Sequence, residues 1–248
     1  MPTLPKNSTH PVNGWRLQVL GGFRLSTRNK VVAIPLSGQR LVAILAIRGR
    51  SPRLQVAGLL WPEVPEGRAL GCLRTAVWRL RQLQLDVAAR RHSELALPPD
   101  VTVDAHDPAG VVASWRNGSR YSSELLPGWY DDWVLLERER IRQVLLHATE
   151  RAAEDSLVHG DPRTALNLAM AALAVDTLRE SAHRLVVRAH LAEGNIGEAR
   201  RHVAHVHKLM IDELGVPPSE GLWDLVTGSR HRDELAHERQ PAAQGLVQ

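Results

Sequence analysis

The apolar positions of this chain repeat every second residue near its start and every third or fourth residue over most of the remainder. Residues 15–25 alternate apolar and polar side chains around Gly21-Gly22, which predicts two strands joined by a turn or bulge. Residues 31–34 predict a third short strand, which Pro35 ends. Residues 1–13 contain three prolines and no apolar period, so we expect a disordered arm there.

Three helices are predicted after these strands. The first runs from an N-cap at Ser37 to about Arg48. The second opens at Ser51-Pro52, with the proline in the first helical position, and stops before Pro62. The third covers about Glu66–Leu83.

A β-hairpin is predicted over residues 85–103, where 95–97 and 101–103 flank a Pro-Pro-Asp turn. The order of strands, three helices and hairpin is that of a winged helix-turn-helix, whose third helix enters the major groove of DNA.

The second half of the chain has a helical period throughout, with predicted helices at 107–118, 131–159, 162–175, 179–193, 196–214 and 219–226. Gly160 and Gly194, each followed five residues later by an alanine (Ala165 and Ala199), lie 34 residues apart. That spacing is the period of the tetratricopeptide repeat (TPR). We therefore predict a mainly α fold with a small β component: a winged helix-turn-helix domain at 14–104, an all-α TPR-like domain at 105–227, and a flexible tail at 228–248.

Composition limits the function classes. No run of apolar residues approaches the 18 needed to span a membrane, and no secretory signal is evident. The single cysteine, Cys72, excludes an intrachain disulfide, which fits a cytoplasmic protein. Residues 1–100 carry 15 Lys and Arg against 5 Asp and Glu, whereas the remaining residues are net acidic. Such asymmetry is typical of a nucleic-acid-binding module joined to a module with another task.

The third predicted helix has the composition of a DNA-contacting helix. Its apolar stripe consists of Leu70, Leu73, Ala76, Val77, Leu80 and Leu83. Its other face has no acidic residue, and its candidate DNA-binding residues are Arg68, Arg74, Thr75, Trp78, Arg79, Arg81 and Gln82. Guanidinium groups bind guanine edges or phosphates, glutamine pairs with adenine, and a threonine methyl contacts thymine. For Trp78 we favour packing on the helical core over a contact with the DNA backbone.

Phosphate contacts are predicted on both sides of this helix. Arg50 and Arg53 precede the second helix, whose N-terminus suits an anion. Arg90 and Arg91 lie in the predicted hairpin, where a wing meets the DNA backbone.

No enzyme class or cofactor is indicated. The chain has neither a phosphate-binding Gly-rich loop nor a nucleophile elbow. His202, His205 and His207 cluster on one predicted helix, but without a further ligand at metal spacing a solvated helical face is the better interpretation. We expect Cys72 to be buried rather than nucleophilic.

Several segments together resemble one family. Residues 59–62 (Leu-Leu-Trp-Pro) and 73–81 (Leu-Arg-Thr-Ala-Val-Trp-Arg-Leu-Arg) look like the winged helix of the actinobacterial antibiotic regulatory proteins, the SARP family. The second half is similar to that family's bacterial transcriptional activator domain in Trp133 with 137–142, Gly160-Asp161 with Ala165, 178–185, and 212–219.

The resemblance covers about residues 15–226. It implies a sequence-specific activator that binds direct repeats in promoters of biosynthetic genes for secondary metabolites and recruits RNA polymerase holoenzyme. It also implies self-association on DNA and a nucleoid-associated location. Gly71 and Thr177 depart from the family pattern, which commonly has a polar residue and a proline there.

Two alternatives remain. The chain could be an adaptor whose winged helix and TPR-like repeats bind proteins, or a repressor that uses the same DNA-binding face. Loss of DNA binding on removal of the third-helix arginines separates the adaptor from the other two.

Overall fold

The computed structural model describes residues 14–87, 93–116 and 124–228. The predicted arm at 1–13, the segment 88–92, and residues 229–248 of the predicted tail lie outside the described residues. By its internal contacts the chain divides into two compact units. The first comprises Met1–Val111 and Arg120–Leu145, and the second comprises Val112–Ser119 and Leu146–Gln248.

The first unit begins with the predicted strands. Strands β1 (Trp15–Gln18), β2 (Arg24–Thr27) and β3 (Lys30–Val31) pair antiparallel in sequence order. Alternation places Leu17 and Leu25 in the core, as the period of two requires. The β2–β3 turn has positive φ at both Arg28 and Asn29, as a two-residue hairpin of matching twist demands.

The predicted hairpin at 95–97 and 101–103 is wrong, because its two arms join different sheets. Strand β5 (Glu94–Leu95) pairs antiparallel with β4 (Ser51–Pro52), which precedes the second helix. Strand β6 (Thr102–Val103) pairs parallel with β1 and completes a sheet of order β3-β2-β1-β6. Local turn residues indicated a reversal at 98–100, but the partner of each arm is distant in sequence.

The carboxylate of Asp104 completes the pairing of the first strand. Immediately after β6, it accepts hydrogen bonds from Val19 N at 2.9 Å and from Leu20 N at 3.1 Å. Both residues are fully buried, so these N–H groups have no access to water. Asp104 therefore does for these two groups what another strand residue would do.

Three helices follow the sheet: α1 (Leu36–Arg48), α2 (Arg53–Leu60) and α3 (Glu66–Gln82). Their existence was predicted, but two of their starts were not. Ser37 is no N-cap, since Pro35 holds that position with its carbonyl accepting from Gly38 N and Gln39 N. Likewise Pro52 lies in β4 and occupies the N-cap position of α2, with no side-chain cap hydrogen bond, instead of opening the helix.

The remaining helices are α4 (Pro108–Arg116), α5 (Asp132–Val158), α6 (Pro162–Val175), α7 (Glu180–Ala192), α8 (Ile196–Leu214) and α9 (220–228). All six were predicted to within a few residues, although the predicted end of α4 at 117–118 falls outside the described residues. Periodicity identified them because each buries one stripe of side chains.

The N-terminal half of α5 fixes the segment before it in the first unit. Arg138 donates three hydrogen bonds of 2.9 Å, to the carbonyl oxygens of Leu125, Leu126 and Trp129. Leu125 also forms a β-bridge with Leu20 at the end of the first strand. One guanidinium group thus satisfies the carbonyls of a turn that no helix or sheet would satisfy.

Small residues allow close helix packing in the second unit. Ala165, Ala169 and Ala172 of α6 and Ala199 of α8 are completely buried. The preceding turns contain glycine at positive φ, 75° at Gly160 and 77° at Gly194, a conformation that other residues avoid after a helix. The 34-residue repeat of glycine and alanine therefore corresponds to a repeated turn and a repeated helix crossing.

Glu150 on α5 links to the start of α7 within the second unit. Arg179 donates to its two carboxylate oxygens at 2.7 and 2.8 Å, and the Ser181 hydroxyl donates to one of them. Burial alone would raise the pKa of Glu150, but these hydrogen bonds outweigh it and lower the pKa below 4.5. The stability that Glu150 contributes is therefore lost as the pH falls below that value.

Two histidines of the second unit form a chain of hydrogen bonds. His183 is buried and donates from Nε2 to the carbonyl oxygen of Thr177 at 2.9 Å. Its Nδ1 must then accept, and it lies 3.0 Å from Nε2 of His202. The predicted solvated face is thus wrong for His202 and right for the exposed His205. Burial lowers the pKa of His183, and burial together with the charge of His183 lowers the pKa of His202 to about 4.

Replacing Asp104 by alanine is expected to destabilise the first unit. Each of the two buried donors left without an acceptor costs about 1–3 kcal/mol, so the free energy of unfolding should fall by about 2–6 kcal/mol. Urea unfolding measures this change. Asp100→Ala, at an exposed position four residues upstream, is the matched control and should change stability by less than about 0.5 kcal/mol. Equal effects of the two substitutions would contradict the role of Asp104.

The second unit is expected to lose stability on acidification from pH 6.5 to about 4, the interval between the ordinary pKa of His202 and its value in the fold. In that interval the unfolded chain binds more protons than the folded chain, so the free energy of unfolding decreases as the pH is lowered. NMR titration of the imidazole signals and urea unfolding across this range measure both quantities. His202→Gln should flatten the pH dependence, whereas His159→Gln, at an exposed position, should leave it unchanged. A His202 that titrates at its ordinary pKa would overturn the explanation.

Candidate nucleic-acid interface

Helix α3 is held in place by one buried stripe. Ala69, Leu73, Ala76, Val77 and Leu80 are all buried, and α3 packs on both α1 and α2. The period of three and four between these residues places the side chains of the opposite side of the helix at exposed positions. The backbone of α3 is thus fixed by the core while its other side faces solvent.

The exposed side of α3 carries all seven residues predicted to contact DNA. They form two parallel rows along the helix, because residues three or four apart lie one above the other. The first row consists of Arg74, Trp78 and Arg81, and the second of Arg68, Cys72, Thr75, Arg79 and Gln82. All eight side chains are exposed.

Three details of this face differ from expectation. Trp78 is 60% exposed, so the interpretation that it packs on the core is wrong. Cys72 is exposed instead of buried, because its position places it in the row of Arg68 and Thr75. Leu83 is 38% exposed, since the helix ends at Gln82 and Leu83 no longer follows the apolar stripe.

The charges on this face have few protein partners. Arg81 makes one exposed ion pair, at 3.4 Å from Asp86, and such pairs contribute little to stability. Among the described residues, none forms an ion pair with Arg68, Arg74 or Arg79. The face therefore presents several positively charged groups that an anionic ligand can bind without breaking strong internal contacts.

The Thr75 hydroxyl is engaged within the helix, since it donates to the carbonyl oxygen of Gly71 at 3.2 Å. At Gly71 itself an added Cβ would meet only the end of Arg74, at 3.7 Å. Space inside the protein therefore does not demand glycine there. A glycine at this half-buried helical position lets another molecule approach the backbone closely, although it lowers helix stability.

The predicted phosphate-binding residues lie partly within the described structure. Arg50 is exposed and Arg53 half-buried, on either side of β4 and at the start of α2. The N-terminus of α2 has no side-chain cap. Beyond β5, Ala96 N donates to the carbonyl oxygen of Val87 at 2.9 Å, so the two arms of a wing pair at its base. Arg90 and Arg91, which follow Val87 and precede Ala96 in the sequence, are outside the described residues.

Sequence reasoning did not identify the neighbours of Arg50. An open cleft of about 560 Å³ has Arg50 on its wall together with Arg48, Gln55, Glu137 and Arg140. Arg48 had given one signal, because it is the charged residue that interrupts the apolar period of α1. Arg140 lies 90 residues from Arg50 in the sequence, and no local pattern connects them.

Within the described ranges, no group of three metal-ligating side chains comes together. Over the same ranges no helix combines the length and apolarity that crossing a bilayer requires.

Two regulatory proteins of Streptomyces are similar to this chain in sequence. Regulatory protein AfsR of Streptomyces coelicolor is 29% identical over 234 residues, which cover 85% of this chain and 24% of AfsR. AfsR of Streptomyces griseus is 27% identical over 261 residues, which cover 94% of this chain and 26% of that protein. The chain thus spans about a quarter of the length of these relatives.

A solved structure agrees in fold. EmbR of Mycobacterium tuberculosis, determined in complex with a low-affinity phosphopeptide, superposes with a TM-score of 0.68 at 16% sequence identity. The superposition covers 93% of this chain and 73% of EmbR.

The family model of the bacterial transcriptional activator domain matches residues 100–227, which is more than half of the chain. The chain therefore belongs to the bacterial transcriptional activator domain family, in the SARP-type form that has a winged helix ahead of that domain.

Proposed function

We propose that this chain is a sequence-specific DNA-binding transcriptional activator in which α3 enters the major groove. The observation that carries the proposal is the exposed side of α3, with its four arginines and an exposed tryptophan on a helix whose backbone is fixed by the core. A preformed helical face of this charge and width suits the major groove, which admits one α-helix.

The chemistry of the two rows suggests their roles. The guanidinium groups of Arg74 and Arg81 suit bidentate pairing with guanine, and Gln82 suits adenine. The hydroxyl of Thr75 is engaged with Gly71, so a methyl contact to thymine is the interaction left to it. Trp78 lies between the two arginines of its row, where its apolar surface suits deoxyribose or a thymine methyl.

Phosphate contacts on either side of α3 would fix its register in the groove. Arg50 and Arg53, at the uncapped start of α2, suit one DNA strand, because uncapped helix N-termini bind phosphates. Arg68, Arg79 and the wing residues Arg90 and Arg91 suit further phosphates. These contacts position the protein without carrying sequence information directly.

The activator domain would supply the contact with the transcription machinery. The family model is that of a transcriptional activator domain, and the matched relatives are named regulatory proteins. We propose that residues 14–104 bind direct repeats in promoters, that 105–227 contact RNA polymerase holoenzyme, and that copies associate on adjacent half-sites. The resemblance to the SARP family favours genes of secondary metabolism as targets.

The double substitution Arg74→Ala/Arg81→Ala tests the DNA-contacting face. If both arginines bind base edges, each should contribute about 1–3 kcal/mol to specific binding. The target is first defined by selecting bound fragments from sheared genomic DNA, and affinity is then measured by fluorescence anisotropy. Arg163→Ala/Arg200→Ala, at exposed positions of α6 and α8, is the control and should bind as the unchanged chain does.

The outcome separates the candidate functions. Loss of DNA binding with unchanged circular dichroism supports α3 as the DNA-contacting helix. Unchanged binding by the double variant would show that α3 is not that helix. A chain that recovers only weakly bound fragments of no common sequence, all released by modest salt, would favour the protein-binding adaptor.

Trp78 should separate stability from function. Because its side chain is 60% exposed, Trp78→Ala should change the free energy of unfolding by less than about 1 kcal/mol. It should nevertheless weaken specific DNA binding, and Trp78→Phe should restore much of the loss by keeping an aromatic surface. A fall in stability of more than about 2 kcal/mol would instead identify Trp78 as a packing residue.

A further inference from the structure

The cleft beside Arg50 brings together residues from three separate parts of the first unit. It is open to solvent and measures about 560 Å³. Residues of α1 and its C-terminal turn, of β4 and α2, and of α5 form its wall. The residues that matter here are Arg48, Arg50, Ser51, Gln55, Glu137 and Arg140.

Two cations of the cleft, Arg50 and Arg140, are far more exposed than its carboxylate. The side chains of Arg50 and Arg140 are 57% and 56% exposed, whereas that of Glu137 is 13% exposed. Glu137 pairs with Arg140 at 2.6 Å and lies 3.6 Å from Arg48. The mostly buried carboxylate thus orients Arg140 of α5 and lies beside Arg48 of α1, and the surface that a ligand meets carries the guanidinium groups of Arg50 and Arg140.

Each exposed guanidinium group keeps donors for a ligand. Arg140 uses Nε for Glu137, which leaves its two Nη groups without a described partner. Arg50 uses Nη1 in a long contact of 3.4 Å with Glu94 of β5. A guanidinium group has five N–H donors in one plane and binds phosphate oxygens in pairs.

The position of the cleft specifies the anion. It adjoins the start of α2, where the Ser51 hydroxyl donates to the carbonyl oxygen of Gly49 and does not cap the helix. Through Glu94 it also adjoins the base of the wing. The start of α2 and the wing are the parts of a winged helix that lie against the DNA backbone when α3 occupies the major groove.

We propose that this cleft binds a phosphate of the DNA backbone, and that Arg140 of α5 is a DNA-contacting residue outside the winged helix. The proposal rests on the DNA-binding function proposed above and extends the protein–DNA interface into residues of the activator domain. Arg50 and Arg140 clamp the phosphate from two sides, and Glu137 orients Arg140.

The test compares two arginines of the same helix. Arg140 and Arg142 each form an ion pair with the glutamate three residues before them, but only Arg140 lines the cleft. Arg140→Ala and Arg142→Ala therefore each remove an ion pair to the glutamate one turn earlier on α5, although Glu137 is less exposed than Glu139. Binding of the full chain to its selected DNA site and to unrelated duplex is measured at several salt concentrations, with circular dichroism to verify the fold.

We expect Arg140→Ala to weaken binding to both duplexes by a similar factor and to leave the preference between them unchanged. Loss of one phosphate contact lowers the slope of log affinity against log salt by about 0.9, so the difference from the unchanged chain should shrink about threefold over a fourfold rise in salt. Arg142→Ala should match the unchanged chain in affinity and slope.

Neutral methylphosphonate substitutions along the selected site then identify the phosphate. At the contacted position the substitution should weaken binding of the unchanged chain and have no further effect on Arg140→Ala. If Arg140→Ala behaves like Arg142→Ala while the unchanged chain binds its site, the cleft is not part of the interface and the DNA-binding function stands. If the unchanged chain selects no DNA site at all, the proposed function itself fails.

Discussion

The backbone of the first strand is the constraint on which the first unit depends. Its continuation at Val19 and Leu20 is fully buried, so every N–H and C=O group there must have a partner. The Asp104 carboxylate takes both N–H groups, and Leu126 N donates to the Val19 carbonyl. Asp104 and Leu126, both distant from the first strand in the sequence, therefore bind its end. The three helices α1 to α3 lie in the sequence between this strand and Asp104.

The fixed core of the first unit has a functional consequence for α3. The apolar stripe of α3 packs on α1 and α2, and α1 begins five residues after the last residue of β3. Because its backbone is held on one side only, the other side is free to carry groups that a core would reject, such as Arg74 and a largely exposed tryptophan. The core supplies rigidity, and the exposed rows supply chemistry, so substitutions in the two rows act on different properties.

The sequence predicted best what depends on neighbouring residues. Helices α5 to α8 were found because each buries residues three and four apart, and the turn at Gly160 was found because glycine tolerates positive φ after a helix. The predicted hairpin around Pro98 was wrong because strand pairing is non-local: β6 pairs with β1, 86 residues away, instead of with its sequence neighbour. The hydrogen bond between His183 and His202 was not predicted for the same reason, because its two residues lie on different helices, 19 residues apart in the sequence.

Errors on α3 had another origin. The helical period placed Arg74, Arg79 and Gln82 correctly on the exposed face, because charge and period agree there. For Cys72 and Trp78 residue type and period disagreed, and residue type was given too much weight. Cysteine and tryptophan are usually buried, but both lie in the exposed rows of this helix. Where the two signals conflict on a strongly periodic helix, the period is the better guide to burial.

The number of basic residues in the first hundred residues does not measure how many cations are available on the surface. Their excess of basic residues overstates what a ligand can meet, because Arg40 pairs with Asp131 and Arg48 lies beside Glu137, both of them carboxylates beyond residue 100. Neither arginine is left as a free surface cation. Arg68, Arg74 and Arg79 have no such neighbour among the described residues, and Arg140 adds a cation that the count assigns to the acidic half. The positive surface is therefore defined by which arginines lack a carboxylate partner or keep N–H donors that no described residue uses, and this depends on the fold rather than on composition.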